Sequence, residues 1–315
     1  MGALLNQYVK NSSAKAAVRA CVAAVYELTG KTAAGRAVTV FPDDVYLTSY
    51  LRSGNTWTRF LVGNLVNLGD PVTFANIESR VPEIYCTPDR ILRRLPHPRL
   101  LKSHEVFDPR YPWVIHVVRD PRDIAVSFYH HNIKAGNIPD GYSMDEFVPR
   151  FIAGDFDSSC GTWADHVMSW LAMRQGRSNF LLLRYEDLKE NTGRELLRVG
   201  RFLQRAGFSQ VEISQEKLMR AVELSTPERM RELEKQQGRQ HVQLRRTRQD
   251  KPFVRNAKSG GWRADLSPKS VALIETVWGD LMQNLGYSLS GAGQKRETGQ
   301  LIQNVERTSK DIPVV

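Results

Sequence analysis

Cysteine is scarce in this chain of 315 residues, which contains only three, at positions 21, 86 and 160. Their number is odd, they are far apart, and no CxxC pair or metal-binding spacing occurs. A reducing compartment is therefore favoured over a disulfide framework, and we expect a cytoplasmic protein.

Long apolar runs are also missing from the sequence. No stretch of 18 consecutive apolar residues exists, so no membrane span is expected. Residues 14–28 are rich in apolar residues, but Lys15, Arg19 and Glu27 interrupt them. We interpret this segment as a surface-packed helix rather than a signal peptide, within an N-terminal helical extension at 1–40.

Negative charge is in short supply, since 34 acidic residues face 44 Lys and Arg and the net charge is +10. This excess predicts an anionic partner: a nucleotide, a nucleic acid, a sulfated or phosphorylated substrate, or an acidic membrane. Residues 235–258 are strongly basic, and two interpretations stand for them, a nucleic-acid patch or a mobile loop that closes over an anion. The aromatic residues that would stack on bases are nearly missing there.

Four short apolar runs alternate with helix-like patterns, at 45–51, 99–102, 113–118 and 180–183. Helices are predicted at about 56–68, at about 124–131, around Trp163 to Leu171, and onward to about 236, whereas 132–160 is predicted to be a long irregular connection of the kind that often forms a lid. Such alternation predicts an α/β fold, a single domain at 41–290 with a central parallel sheet flanked by helices. Residues 291–315 are predicted to be a flexible tail.

Polar clusters follow three of the predicted strands, at Arg52-Ser53, Ser103-His104 and Arg119-Asp120. Ligands of parallel sheets bind at the carboxyl ends of the strands. The loop at 51–55 passes directly into a helix, an arrangement that points backbone N–H groups and a cation at a phosphate. It is not a P-loop, because G-x-x-x-x-G-K-[ST] is absent. The eight-residue spacing of Arg119 and Ser127 would let both side chains reach one phosphate.

Six motifs in order resemble those of the cytosolic sulfotransferases, in a bacterial-like form, over about residues 44–290. They are YLRSGNTW at 50–57, KSH at 102–104, RDPRDIAVS at 119–127, a Gly-x-Trp-x-x-His-x-x-x-Trp pattern from 161, YEDL at 185–188 and FVRNAKSGGWR at 253–263. Members of this family move a sulfonate from 3'-phosphoadenosine 5'-phosphosulfate (PAPS) to an acceptor and release 3'-phosphoadenosine 5'-phosphate (PAP). The resemblance implies a fold similar to that of the P-loop nucleotide kinases.

The resemblance also implies roles for individual residues. His104 would be the general base, Lys102 would face the transferring sulfonate, and Arg52 would meet the bridging oxygen, with no metal required. The predicted cofactor-binding residues are Arg52, Ser53, Gly54, Asn55, Thr56, Trp57, Arg119, Ser127, Tyr185, Ser225, Arg255, Asn256 and Ala257. Among them, Arg119, Ser127 and Arg255 would hold the 3'-phosphate, while Tyr185 and Ser225 would lie near the adenine.

The sequence departs from the family pattern at several of these positions. Arg52 replaces a lysine, Asn256-Ala257 replaces Lys-Gly at the 3'-phosphate site, and Pro227 replaces a phenylalanine that stacks on the adenine. The family's dimerisation motif is poorly kept at 263–272, so the oligomeric state is left open.

The acceptor pocket is predicted to come from residues 72–90, 128–160 and 235–252. Their mixed polar and aromatic composition suits an alcohol or phenol on a partly apolar scaffold, and a small metabolite, a lipid and a glycan all stay open. Two other functions are kept as alternatives, a P-loop-like nucleotide-dependent phosphotransferase and a basic nucleic-acid-binding protein. No nucleic-acid partner is predicted under the favoured interpretation.

Overall fold

The computed structural model describes residues 32–156, 160–255 and 259–290. Most of the predicted N-terminal extension and all of the predicted tail lie outside this part of the chain, as do Asn256 and Ala257. The first described element is a short 3-10 turn at Gly35–Ala37.

A four-stranded parallel sheet forms the centre of the described fold, in the order β2-β1-β3-β4. The strands are β1 (Val45–Ser49), β2 (Leu100–Ser103), β3 (Trp113–Val118) and β4 (Phe180–Arg184). Each of them falls on a predicted strand, with ends that differ by no more than two residues. The predicted α/β fold with a parallel sheet is confirmed.

Helices cover both faces of this sheet. They are α1 (Asn55–Val66), α2 (Ile77–Arg80), α3 (Asp89–Leu92), α4 (Pro121–Ala135), α5 (Met144–Ala153), α6 (Trp163–Arg174), α7 (Tyr185–Glu190), α8 (Thr192–Arg205), α9 (Gln215–Glu223), α10 (Pro227–Gln237), α11 (Trp262–Asp265) and α12 (Pro268–Asn284), with a 3-10 turn at Gly238–Gln240. Successive β1 residues point to opposite faces: Val45 and Leu47 pack in the cluster that holds α1 and α8, whereas Tyr46 packs in the one that holds Trp170. Both faces are therefore apolar and buried.

Two predicted boundaries differ from the observed ones. Helix α4 begins at Pro121 rather than near 124, because proline is well suited to the first helical position and the Asp120 carboxylate caps the helix by accepting from the Arg122 amide. The predicted irregular connection at 132–160 contains helix α5, which continues through Pro149. Phe147, Val148 and Phe151 of α5 are buried in the core, so tertiary packing outweighs the helix-breaking tendency of proline.

The strand order indicates where on the sheet a ligand would bind. The chain moves from β1 to β2 on one side and from β3 to β4 on the other, so the connections diverge between β1 and β3. Such a divergence leaves a crevice at the carboxyl ends of the two strands. Arg52 follows β1 and Arg119 follows β3, which brings both arginines to this crevice. Within the described ranges, no helix combines the length and apolar character needed to cross a bilayer.

Candidate active site

The loop after β1 leads into helix α1 through two residues with left-handed backbone conformation. Arg52 has φ of 63° and Gly54, which precedes the helix, has φ of 89°. Among the described residues no side chain caps the helix, and its first-turn N–H groups have no partner within the helix itself. A helix terminus of this kind favours an anion.

Tyr185, the first residue of α7, closes over this loop. A Cβ atom at position 54 would lie 2.3 Å from the tyrosine Cδ2, so only glycine fits beneath the ring. Trp57 meets Tyr185 edge to face, with ring centroids 5.6 Å apart. The Trp57 indole N–H donates to the Ser225 carbonyl at 2.9 Å, which orients the indole. Tyr185 and Trp57 thus form an aromatic wall beside the helix terminus.

Among the predicted cofactor residues that the structure describes, Ser225 and Ser53 differ from the others, because neither lines the cavity. The Ser225 hydroxyl accepts from Asn64 at 2.9 Å and donates to the Ala221 carbonyl at 2.8 Å, and the residue is fully buried. Its carbonyl holds Trp57, so Ser225 acts on the site through the indole. Ser53 is likewise buried, and within the described residues its hydroxyl has no hydrogen-bond partner.

The residues predicted for the 3'-phosphate converge on the same loop. The Arg119 guanidinium stacks over Tyr185 at 4.3 Å, and its Nη1 donates to the Arg52 carbonyl at 3.2 Å. Arg52 Nε donates to the Ser127 hydroxyl at 3.2 Å, so the Arg52 side chain points toward this group of residues. Contact between Arg52 and the bridging oxygen stays a prediction. Burial and the nearby charges of Arg119 and Arg255 lower the pKa of Arg52 to about 10. An anion placed here would relieve the repulsion among the cations.

Asp123 ties the late sequence motif to this site from the first turn of α4. Its carboxylate accepts from the backbone N–H groups of Gly260 at 2.6 Å and Trp262 at 3.0 Å. Burial raises the pKa of the Asp123 carboxyl. Gly260 and Arg255 both line the cavity, so the chain on either side of the undescribed residues 256–258 reaches the predicted 3'-phosphate site.

His104 lies just after β2, and its ring has a defined tautomer. Because the Ser49 carbonyl can only accept, Nδ1 carries the proton and donates to it at 2.7 Å, which leaves Nε2 as an acceptor. His166 donates from Nε2 to the His104 carbonyl at 3.1 Å and stabilises this segment. Burial and the charge of Lys102 lower the pKa of His104 to about 3. The ring is therefore neutral at physiological pH.

Glu83, an acidic residue that sequence analysis missed, lies beside Lys102 and His104. The Glu83 carboxylate is 2.7 Å from Lys102 Nζ, and both side chains are buried. Gln243, 160 residues further along the chain, donates a hydrogen bond to the same carboxylate. No motif marks Glu83, since its position next to Lys102 depends on backbone pairing of residues 82–84 with β2.

The basic segment that begins at 235 lines one side of the cavity. Lys134 of α4 holds it, because Nζ donates to the Arg248 carbonyl at 2.8 Å and to the Lys251 carbonyl. The Arg248 amide in turn donates to the Lys134 carbonyl at 2.9 Å. The residues of this segment that line the cavity include Gln243, Thr247 and Phe253. Both interpretations of the segment, a nucleic-acid patch and a mobile loop that closes over an anion, stay predictions.

One cavity of about 950 Å³ therefore joins two regions. The first holds the uncapped helix terminus, Arg52, Arg119, Ser127 and Arg255, and the second holds His104, Lys102 and Glu83. A cationic pocket at the carboxyl edge of a parallel sheet, next to a neutral histidine, defines a class of protein: an enzyme that binds an anionic nucleotide and passes a group to a second molecule. Residues 42–286 match the family described as the sulfotransferase domain. The chain belongs to the sulfotransferase family of enzymes, as its motifs predicted.

Curated relatives agree with this assignment. Sulfotransferase 1B1 of Mus musculus is 29% identical over 238 residues, which cover 70% of this chain and 77% of the relative. Human Sulfotransferase 2B1 is 32% identical over 196 residues, and there the chain spans about half of the relative's length, 52%. These two relatives are mammalian, so the bacterial-like form stays a prediction.

Solved structures share the fold at low sequence identity. Retinol dehydratase in complex with androsterone and PAP has a TM-score of 0.63 at 20% identity, covering 83% of this chain and 85% of that one. A mouse sulfotransferase complexed with PAP has a TM-score of 0.60 at 22% identity, covering 79% and 87%. The fold is that of the sulfotransferases.

Proposed function

We propose that this protein transfers a sulfonate from PAPS to a hydroxyl or amine group of an acceptor molecule, with His104 as general base. The observation that carries the proposal is the convergence of Arg52, Arg119, Ser127 and an uncapped helix terminus in the same cavity as the neutral His104. Related enzymes of this fold hold PAP in their solved structures.

The residues present fit the nucleotide. Two anionic groups need two cationic regions, and the chain offers the first-turn amides of α1 for the 5' end and Arg119 with Ser127 for the 3'-phosphate. Trp57 and Tyr185 offer aromatic faces for the adenine. PAPS, when bound, supplies an activated sulfonate whose bond to the 5'-phosphate oxygen breaks during transfer.

Three side chains of the protein are assigned roles in the transfer. The Nε2 atom of His104 takes the proton of the acceptor hydroxyl as that oxygen bonds to sulfur, and the released product is PAP. Lys102 offers a cation to the sulfonate oxygens, on which negative charge is spread, and Arg52 is assigned to the charge that develops on the leaving phosphate. Positioning and electrostatic stabilisation carry such transfers, so the mechanism assigns no step to a metal.

Thermal stability in the presence of nucleotides tests the donor site. PAP at 100 times its dissociation constant should add roughly 2.7 kcal/mol to the free energy of unfolding and raise the melting temperature. AMP differs only in lacking the 3'-phosphate and should raise it less.

Arg119→Ala is the matching variant for the 3'-phosphate. It should weaken PAP binding by about 1.5 to 3 kcal/mol, because a charge-assisted hydrogen bond is lost, while AMP binding changes much less. Calorimetric titration with both nucleotides measures the difference. Equal losses for PAP and AMP would contradict the assignment of Arg119.

The acceptor is proposed to be a small molecule, a lipid or a glycan that carries a hydroxyl. Among proteins of the same fold, one structure of retinol dehydratase holds retinol and another holds androsterone, which supports an alcohol. The cytoplasm is proposed as the location, since the three cysteines are far apart in the sequence and form no CxxC pair.

A further inference from the structure

Glu83 is a buried carboxylate inside the reaction cavity that the proposed mechanism does not use. It lines the cavity together with Lys102 and His104, and only 4% of its surface is exposed. Buried carboxylates are costly unless they are paired, and here Lys102 lies 2.7 Å away. Its position beside Lys102 and His104 indicates that Glu83 has a function in the cavity.

The backbone holds this carboxylate firmly in place. Lys102 N–H donates to the Pro82 carbonyl at 2.8 Å, and Ile84 N–H donates to the Lys102 carbonyl at 3.1 Å. The Glu83 amide donates to the Glu78 carboxylate at 2.9 Å, and Arg59 anchors Glu78 at 2.9 Å. Glu83 is therefore a rigid, preorganised feature of the cavity.

The carboxylate is ionised at physiological pH. Burial by itself would raise the pKa of Glu83, but the charges of Lys102 and Arg59 and the hydrogen bond from Lys102 outweigh burial and lower the pKa to about 2. The Lys102 ammonium has three N–H donors, so it can serve Glu83 and a sulfonate at the same time. A carboxylate also has about four acceptor positions, of which Lys102 and Gln243 use two.

The remaining hydrogen-bond acceptor positions of Glu83 determine which chemical groups can bind next to it. Gln243 contacts Glu83, and the same cavity is lined by polar groups from Thr247 and His131 and by the apolar surfaces of Tyr85 and Met230. A carboxylate in such surroundings rejects an anion and favours a molecule with hydrogen-bond donors or a positive charge.

We propose that Glu83 binds the acceptor, by receiving a hydrogen bond from a second hydroxyl or an ammonium group next to the hydroxyl that is sulfonated. The preferred acceptors are then vicinal diols and amino alcohols on a short apolar scaffold, rather than molecules with one isolated hydroxyl. This inference rests on the proposed function and names the acceptor class for it. Glu83 adds no covalent step, since the acceptor proton still passes to His104.

A matched series of acceptors tests the inference with labelled PAPS. Hexan-1-ol, hexane-1,2-diol and 2-aminohexan-1-ol share one scaffold and differ only in the second group. The wild-type protein should show kcat/KM at least about 10-fold higher for the diol and the amino alcohol than for hexan-1-ol, since a charge-assisted hydrogen bond is gained. This comparison needs no variant, so it does not depend on how a mutant folds.

Glu83→Gln removes the charge at nearly constant shape. It should lower kcat/KM for the amino alcohol about 10- to 100-fold more than it lowers kcat/KM for hexan-1-ol. Glu105→Gln is the matched control, because Glu105 is also a buried, ion-paired carboxylate near His104 but does not line the cavity. Calorimetric titration of 2-aminohexan-1-ol into the protein saturated with PAP should show the same loss in affinity.

Three results would overturn the inference. Equal wild-type kcat/KM for all three alcohols would remove Glu83 from acceptor binding while the proposed function stands. An equal loss for every acceptor in Glu83→Gln would mean that the carboxylate only positions Lys102. If PAP itself neither binds nor raises the melting temperature, the proposed function fails first, and the inference about Glu83 fails with it.

Discussion

At position 104 a single carbonyl oxygen decides which ring nitrogen can accept a proton. Ser49 accepts from Nδ1, so Nε2 is left as the basic atom, and burial keeps the ring neutral. The backbone of β1, the neighbouring strand, thus sets the tautomer of a residue that follows β2. Sequence could place His104 after a strand but could not reveal this hydrogen bond.

Replacing His104 by alanine separates catalysis from binding. His104→Ala should lower turnover about 10²- to 10⁴-fold, because positioned proton transfer is lost. PAP affinity should stay close to wild type, since the histidine acts on the acceptor proton. Initial rates with labelled PAPS and calorimetric titration with PAP measure the two effects. A variant with full turnover would place the general base elsewhere.

The pH dependence of activity follows from the pKa of the same residue. A free histidine titrates near ~6.5 and would lose its base function below that value. In the folded protein the pKa of His104 is about 3, so the neutral base persists well below pH 6.5. We expect kcat to change little between pH 8 and pH 6, with PAP affinity measured across the same range as the control. A fall in kcat with an apparent pKa near ~6.5 would contradict burial of the ring during catalysis.

Local motifs made half of the site predictable from the sequence. Arg119 and Ser127 lie eight residues apart along one strand and helix, so their spacing already implies proximity. Glu83 and Gln243 come from segments 160 residues apart, and only the folded chain brings them together. The resemblance could not reveal that the Ser225 hydroxyl bonds within the protein, and the place of Ser225 near the adenine stays a prediction.

At the scale of elements, the start of helix α1 depends on one glycine. Gly54→Ala should destabilise the protein by more than about 1 kcal/mol, because alanine disfavours a positive φ and its Cβ would meet the Tyr185 ring. PAP affinity should fall as well, since the loop and the ring both face the nucleotide. Urea denaturation and calorimetric titration measure these two losses.

Gly136→Ala is the matched control for this prediction. Gly136 follows α4 with φ of 78°, similar to that of Gly54, but no atom of the described residues lies within 4 Å of the added Cβ. This variant should show the backbone cost alone and leave PAP affinity unchanged. If both variants bind PAP equally well, the space beneath Tyr185 has no role in the nucleotide site.

Strands were easier to predict than the helix α5. The four strands are short and mostly apolar, so composition alone marks them. Helix α5 carries Pro149 and follows a segment rich in glycine and proline, both of which argue against a helix. Its stability comes from burial of Phe147 and Phe151 against the core, and that contact is invisible without the fold.

For the whole molecule, neutral buried histidines predict sensitivity to acid. Six of the seven histidines have a lowered pKa, with burial as the largest cause; they are His104, His116, His130, His131, His166 and His241. The unfolded chain binds these protons near pH ~6.5, whereas the folded chain does so only at lower pH. Stability is therefore complete above the unfolded value and is lost as the pH falls below it, by up to about 1.4 kcal/mol per pH unit for each group.

Calorimetry checks this expectation directly. Between pH 7 and pH 5.5 the melting temperature should fall by at least about 10 °C, with several protons taken up on unfolding. His116→Gln changes a buried residue outside the cavity and should reduce the uptake by about one proton. A melting temperature that stays constant over this range would show that the histidines are protonated in the native state.

The cluster of Arg52, Arg119 and Arg255 also affects the rate at which the nucleotide associates with the protein. A positive cavity on a protein with a net charge of +10 attracts a polyanion from beyond contact distance and raises its association rate constant. Added salt shortens the reach of this attraction to about 8 Å at physiological ionic strength. Capture of the nucleotide therefore slows with ionic strength, whereas its escape depends on the short contacts inside the cavity, which salt screens much less.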